Sequence, residues 1–534
     1  MLCGPRICAV LLLILPAGAS GQHTHEVPMP RGFEQPMRLY DVGLGPFSRP
    51  VTTRSRESQQ FFDQGMQLLY AFAPAEAARS FREAWKRDPD CAMCYFGEAW
   101  AWGPYLNGDM SADDAPRAHA AVQRAKQLAP GRTTPVERAL IEAMSVRYAE
   151  RHDAVERERL DTTYAEAIGK VYAAHPEDLD AGTLYAEALM LLEPRRGRWD
   201  ASRAEVQRIH QVLESVLARD LSHPGACHLL IHATESTNVP GKAERCAALL
   251  GSSIPGASHI NHMPSHTWNR VGRWADAVRA NLQAWHSDLK AEIGEGFAIY
   301  PSHNLHMLLF SASFDGQGAI AIQAAKDYAK ISNGGVFYHV LTLLRFGRFD
   351  EILELRSAPA QPLYRGLWDF GFGYAHLRRG NADSARTYLE RVERGASLGD
   401  SVAFRGHTAT SLLGVASGIL RAELLRSEGG QAEAISVLER AVALEDALRY
   451  DEPEPLNFTA RHWLGAHLLE AGRAQEAESV YRQSLDDHPH NGWSLIGLGQ
   501  ALRAQGRIAE ADRVQQEFAD AWARSDTWIR ASRF

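Results

Sequence analysis

Near its C-terminus the chain repeats itself. Trp463-Leu-Gly465-Ala-His-Leu-Leu-Glu-Ala-Gly472-Arg-Ala-Gln-Glu-Ala477 is echoed by Ile496-Gly-Leu-Gly499-Gln-Ala-Leu-Arg-Ala-Gln-Gly506-Arg-Ile-Ala-Glu-Ala511. Gly465 and Gly499, Gly472 and Gly506, and Ala477 and Ala511 all stand 34 residues apart. That period holds two short helices and a turn, a unit too small to bury its apolar face alone, so it must stack on its neighbours. A small residue late in the first helix lets the second approach, glycine turns the corner, and alanine lies where the helices cross. Glycine followed five residues later by alanine recurs at Gly272/Ala277, Gly380/Ala385 and Gly429/Ala434, with looser forms at Ala73/Ala78 and Gly347/Ile352. Proline closes two helices, at Pro89 and Pro489.

Between about Tyr105 and Ser265 the period fades, yet Ala-rich amphipathic runs such as Tyr164–Tyr172 and Thr183–Leu192 still read as helix. No alternating β-branched run marks a strand. The period and its residues closely resemble the tetratricopeptide repeat family, which implies an all-α fold, a right-handed α-solenoid of helical hairpins. A wider likeness rests on Phe62-Asp-Gln-Gly-Met-Gln-Leu-Leu-Tyr70, Ala77-Ala-Arg-Ser-Phe81, Asp88-Pro-Asp-Cys91-Ala-Met-Cys94, His223-Pro-Gly, Ile231-His232 and His262-Met-Pro-Ser-His266. These strings resemble a group of large exported bacterial tetratricopeptide proteins. The likeness implies a fold, export and a histidine-bearing middle, and transfers no catalytic residue. The expected layout is a leader over 1–19, an extended or poorly ordered arm over 20–55, hairpins over 56–220, a histidine-rich helical region over 221–315, and a repeat array over 316–534. The helix from Val514 to Trp522 would cap that array.

The leader reading comes from Arg6, the apolar run Ile7 to Leu15, and the small residues Ala17-Gly18-Ala19. No later stretch holds 18 uninterrupted apolar residues, so the mature chain is expected to be exported, periplasmic or secreted, and not membrane-spanning. The formal charge is −8, and one unit more negative without Arg6; that acidity argues against nucleic acid as a partner. Beyond the leader stand Cys91, Cys94, Cys227 and Cys246; in an oxidising compartment Cys91–Cys94 and Cys227–Cys246 are the local pairing, with two buried thiols at Cys91 and Cys94 as the alternative. Tyr95 follows Cys94 where a haem attachment motif needs histidine.

Chemistry concentrates elsewhere. Nine of the 22 histidines lie between His223 and His306. They fall into tight groups: Cys227-His228 with His232 and Glu235, then His259, His262 and His266, then His303 and His306. On a helix His228, His232 and Glu235 share one face, so two imidazoles four residues apart can grip one ion. Glu235 is a third ligand, an orienting acceptor or a general base. Leu229 stands where a zinc-protease string needs glutamate, which excludes that class. Pro264 and Pro301 read as first-turn residues of new helices, which places His266 and His303 at positive helix ends. The dipole there is expected to lower their pKa and favour the neutral, metal-binding form. The expected ligands are His228, His232, His262, His266 and His303, then His306 and Glu235, with His223 and His259 as caps or supporting groups. His286 stands apart. Histidine without thiolate suits zinc, copper or iron.

No phosphate loop and no Gly-x-Ser-x-Gly elbow is present, so neither nucleotide nor serine hydrolase chemistry is expected. The aromatic group from Trp85 to Tyr105 reads as repeat core. Two functions remain open: a scaffold that binds a protein or peptide in the groove of its repeats and carries a histidine-rich metal centre, or a metal-dependent hydrolase or oxidoreductase.

Overall fold

The structure, a computed structural model, describes residues 29–30, 32–33, 35–194, 197–399 and 401–534. The expected leader lies outside them. Met37–Phe534 form one compact unit and Met1–Pro36 a second; in the latter, Phe33 N donates to Pro30 O at 3.1 Å.

The large unit is all-α, a succession of helices in which nearly every one packs on the next. Its turns follow the sequence rule. Gly272, Gly347, Gly380, Gly429, Gly472 and Gly506 all have φ between 68° and 86°, the left-handed region glycine tolerates. The residue five positions on is fully buried in every case: Ala277, Ile352, Ala385, Ala434, Ala477 and Ala511. Gly316/Ala321 is a further instance. In the first hairpin, between Arg56–Tyr70 and Pro74–Arg87, the turn residue is not Ala73 but Phe72, at φ 59°. A bulky residue there is strained by about 1–2 kcal/mol, which marks Phe72 for attention.

The hairpins use small residues in a paired way. The Phe81 ring of Pro74–Arg87 lies between Gly65 of the preceding helix and Gly97 of Ala92–Ala101; a Cβ on either glycine would come within 2.7 Å of it. The Tyr481 ring of Ala474–Asp487 lies in the same way between Gly465 and Gly497, where an added Cβ would come within 2.4 Å. Gly499, by contrast, meets only Val514 at 3.8 Å and Ala511 O at 4.0 Å.

From Met37 the chain is extended and lies along one face of Arg56–Tyr70. Val51 N, Arg49 N, Tyr40 N and Gly45 N donate to Gln59, Asp63, Gln64 and Gln67 at 2.7–3.0 Å. Both expected disulfides are formed, Cys91–Cys94 and Cys227–Cys246, and the latter ties Pro224–Glu235 to Glu244–Leu250.

The C-terminal array returns to the middle of the chain. Trp274 Nε1 donates to Pro489 O at 2.8 Å, Trp493 Nε1 to Ser313 O at 3.0 Å, and Asp526 accepts from Gly318 N and Ala319 N. The last helix is Ile508–Ala521, and residues beyond it add to the cover: Tyr374 donates to Phe534 O at 2.7 Å, and Ser532 to His462 O at 2.6 Å. Among the described residues the single strand pairing is Ala403–Phe404 with His407–Thr408, a hairpin whose two turn residues, Arg405 and Gly406, have φ 52° and 85°. No described helix is long and apolar enough to cross a membrane.

Candidate metal centre

Four helices of the middle region bring the histidines together. Pro224–Glu235 begins on His223, whose Nδ1 accepts from Ala226 N at 3.1 Å while Nε2 lies 3.2 Å from Asp180. His223 is therefore a cap. His228 and His232 follow one and two turns later. Ser258–His262 brings His259 and His262, and Pro264 and Pro301 occupy the first turns of Pro264–Arg270 and Pro301–Phe314, as expected, carrying His266 and His303.

The imidazoles form two groups of three, and His232 belongs also to a third set of possible ligands with Glu235 and Glu452. The ligand nitrogens of His228, His232 and His259 lie within 4.8 Å of one another, as do those of His262, His266 and His303. The groups adjoin, with ring centroids 5.7 Å apart for both His232–His266 and His259–His262. His259 is thus brought in among the candidate ligands rather than set behind them.

The hydrogen bonds decide which nitrogen of each ring is available. His228 Nδ1 donates to Tyr70 O at 2.6 Å, and a carbonyl can only accept. His232 Nδ1 donates to Glu235 Oε1 at 2.7 Å. His262 Nδ1 donates to Asn281 Oδ1 at 2.7 Å, and the amide is oriented by Asn281 Nδ2 donating to Ala277 O at 2.9 Å. In all three rings the proton sits on Nδ1 and the Nε2 lone pair faces inward, the arrangement of metal-bound histidines with an acceptor behind each ring. His228 Nε2, His232 Nε2 and both nitrogens of His259 are buried with no hydrogen-bond partner. Leaving such an atom unmatched costs about 1–3 kcal/mol, so this is an expensive arrangement unless a ligand completes it.

His262 Nε2 and His266 Nε2 are 2.7 Å apart. Two lone pairs cannot face each other at that distance, so one nitrogen carries a proton. His266 is the carrier, because its Nδ1 pairs with Glu235 Oε2 and, at 3.0 Å, with Glu452 Oε2. Burial opposes the charge, but Glu235 outweighs it and lifts His266 to about 10. The expected lowering at His266 is overturned, since a carboxylate in contact exceeds a helix-end dipole. At His303 the shift is downward as expected, with burial first and His262 second; burial also lowers His228, His259 and His262.

Glu235 meets His232 with one oxygen and His266 with the other, and with His232 and Glu452 it forms a further set of ligand atoms within 4.8 Å of one another, so the geometry fits both a ligand and an orienting acceptor. His306 is not brought in. Its Nδ1 accepts from Arg405 Nη1 at 2.8 Å and its ring packs on Tyr338 with centroids 4.5 Å apart, so the Ala403–Thr408 hairpin holds it away.

Residues that spacing could not reveal complete the centre. The Phe72 ring covers His228, His232 and His259, with centroids 4.1, 5.6 and 5.6 Å away, which gives its strained backbone a purpose. Asn281 carried a faint signal, as a polar residue on the buried stripe of Trp274–Glu292 with Ala277 and Ala284. Glu452 and Arg405 carried none. A cavity of about 620 Å³ opens over the centre, lined by His232, His259, His266, His303, Tyr300 and Arg405 among others, with Asp109 at its exposed edge.

Residues 468–515 match the tetratricopeptide repeat family. No curated protein matches the chain in sequence. Solved structures it is similar to include the APC/C hetero-tetramer Cut9–Hcn1 (12% identity, 89% of this chain and 80% of that one, TM-score 0.38). Others are a human IFIT1 dimer with m7Gppp-AAAA (10%, 88% and 91%, 0.31) and the P58(IPK) TPR domain (12%, 84% and 98%, 0.22). These likenesses are loose, and none bears on what this chain does.

Proposed function

We propose that this is an exported metal-dependent enzyme, a helical-repeat scaffold whose middle holds two transition-metal ions. One ion is bound by His228, His232 and His259, the other by His262, His266 and His303. The observation that carries this reading is the set of buried imidazoles in two adjoining groups, three of them with Nδ1 engaged and Nε2 turned inward. Three protein ligands per ion leave a position open for substrate, and the cavity gives a small molecule access to it. The two disulfides support function in an oxidising compartment.

Elemental analysis of full-length mature protein, purified without a His tag or chelating resin, tests the proposal. Two equivalents of transition metal are expected, falling to at most residual binding in a His232→Ala/His262→Ala variant that keeps its helical circular dichroism. No metal in the native protein, even after zinc, copper and iron are offered, would overturn it.

The repeat at 468–515 favours a second role, a protein partner held by the C-terminal array. That role predicts partner binding that survives the double histidine substitution.

A further inference from the structure

We infer that Tyr300 positions the substrate. Its hydroxyl donates a hydrogen bond to an oxygen of a small carboxylate or carbonyl compound held in the cavity beside His228, His232 and His259. This rests on the two-ion reading above and deepens it. Four described residues other than glycine have left-handed backbone: Phe72, Tyr300, Arg405 and His490. Three of them stand at the centre, since Phe72 covers the first group of histidines while Tyr300 and Arg405 line the cavity. At Tyr300 the conformation is doubly unfavourable. Its φ is 57° and its ψ 48°, and it precedes Pro301, which drives the residue before it toward extended backbone. Strain of this kind persists where the surrounding structure holds it, and it collects at functional sites. Here it brings the Tyr300 ring against His259, edge to face with centroids 5.0 Å apart.

The neighbours of the hydroxyl set the direction of its proton. Tyr105 N donates to Gly108 O at 3.0 Å and Gly108 N to Tyr105 O at 3.1 Å, a tight turn that presents Tyr105 and Asn107 to Tyr300. Tyr105 Oη lies 2.8 Å from Tyr300 Oη, and the Asn107 side chain donates to the same oxygen. Two hydroxyls sharing one hydrogen bond leave one proton for an outside acceptor. Tyr300 lines the cavity and Tyr105 lies behind it, beside Phe72. With Tyr105 and Asn107 donating to Tyr300, the remaining proton is the one that faces the cavity. Larger donors on the same wall are committed within the protein. Trp199 Nε1 donates to Pro194 O at 2.9 Å, and Arg405 to His306 at 2.8 Å and Asp451 at 2.6 Å. Ser302 is exposed at the rim. An oxygen acceptor is what the Tyr300 proton recognises, and an ionised carboxylate takes it most strongly.

The test is acetate binding to full-length protein loaded with cobalt(II), followed by visible absorption, with imidazole as a second probe. Acetate offers an oxygen to the Tyr300 hydroxyl. Imidazole, bound through one nitrogen, presents an N–H and has no acceptor to offer. Tyr300→Phe keeps the ring and removes the hydroxyl. Acetate affinity is expected to fall about tenfold in this variant, with imidazole affinity, cobalt content and thermal melting unchanged. Equal acetate affinity in the two proteins, or parallel loss of both probes, would overturn the inference and leave the two-ion reading standing. So would cobalt uptake by the native protein with no acetate binding. No cobalt uptake by the native protein would end both.

Discussion

At the scale of single residues, the centre depends on what stands behind each imidazole as much as on the imidazoles. Glu235 accepts from His232 and pairs with His266, so Glu235→Gln keeps one acceptor and turns an N–H toward His266. Metal affinity should fall about 10–100-fold with the helices intact, as read by competition against a chelator of known strength. Unchanged affinity would show that Glu235 does not orient the ligands. The sequence made five of the six trio histidines legible, because helical spacing and the two prolines put them on inward faces. It misplaced His259, whose short helix offers too few turns to define a face. It included His306, which lies a turn beyond His303 but is drawn off by Arg405, a residue 99 positions away. Contacts of that sequence separation leave no periodic trace.

The helical hairpin is the next scale, and here local rules were readable. Glycine-to-alanine spacing located the turns because only a residue that tolerates positive φ can make them. Phe72 escaped because it breaks the rule where the ring is needed over the histidines. The glycines divide by what faces them. Gly497→Ala drives a methyl into the Tyr481 ring and should cost about 1–3 kcal/mol. Gly499→Ala has room and should be neutral or stabilising by about 0.5–1 kcal/mol. Urea denaturation of the pair checks the contrast, and equal effects would refute the clamped-ring account. The Cys227–Cys246 bridge closes a short loop, with sequence separation 19, beside the helix that carries His228. Replacing both cysteines with serine should lower stability by about 3 kcal/mol in the same assay.

Across the whole molecule, distant segments are joined by buried charge. Glu423 is fully buried and meets His467 Nε2 at 3.0 Å, Arg533 Nε at 3.1 Å and Arg426 Nη2 at 3.1 Å, which links two repeats to the C-terminal tail. Burial pushes its pKa up, but His467 and the arginines outweigh burial and hold it down at about 2. A carboxylate depressed on folding stabilises the native state above its unfolded pKa. That contribution should be lost as pH falls from about 4.5 toward 2. Glu423→Gln should cost about 3–5 kcal/mol at neutral pH and flatten this acid dependence, measured by denaturation at a series of pH values. The return of the tail was not legible, since nothing in a 34-residue period says which repeats meet across the molecule. It bears on timing. The centre draws on Tyr70, Phe72, the helices from Pro224 to Phe314, and Glu452, so a chain still emerging from its synthesis machinery has the histidines but not their grouping. On the proposed reading, metal would enter late, into a molecule already folded.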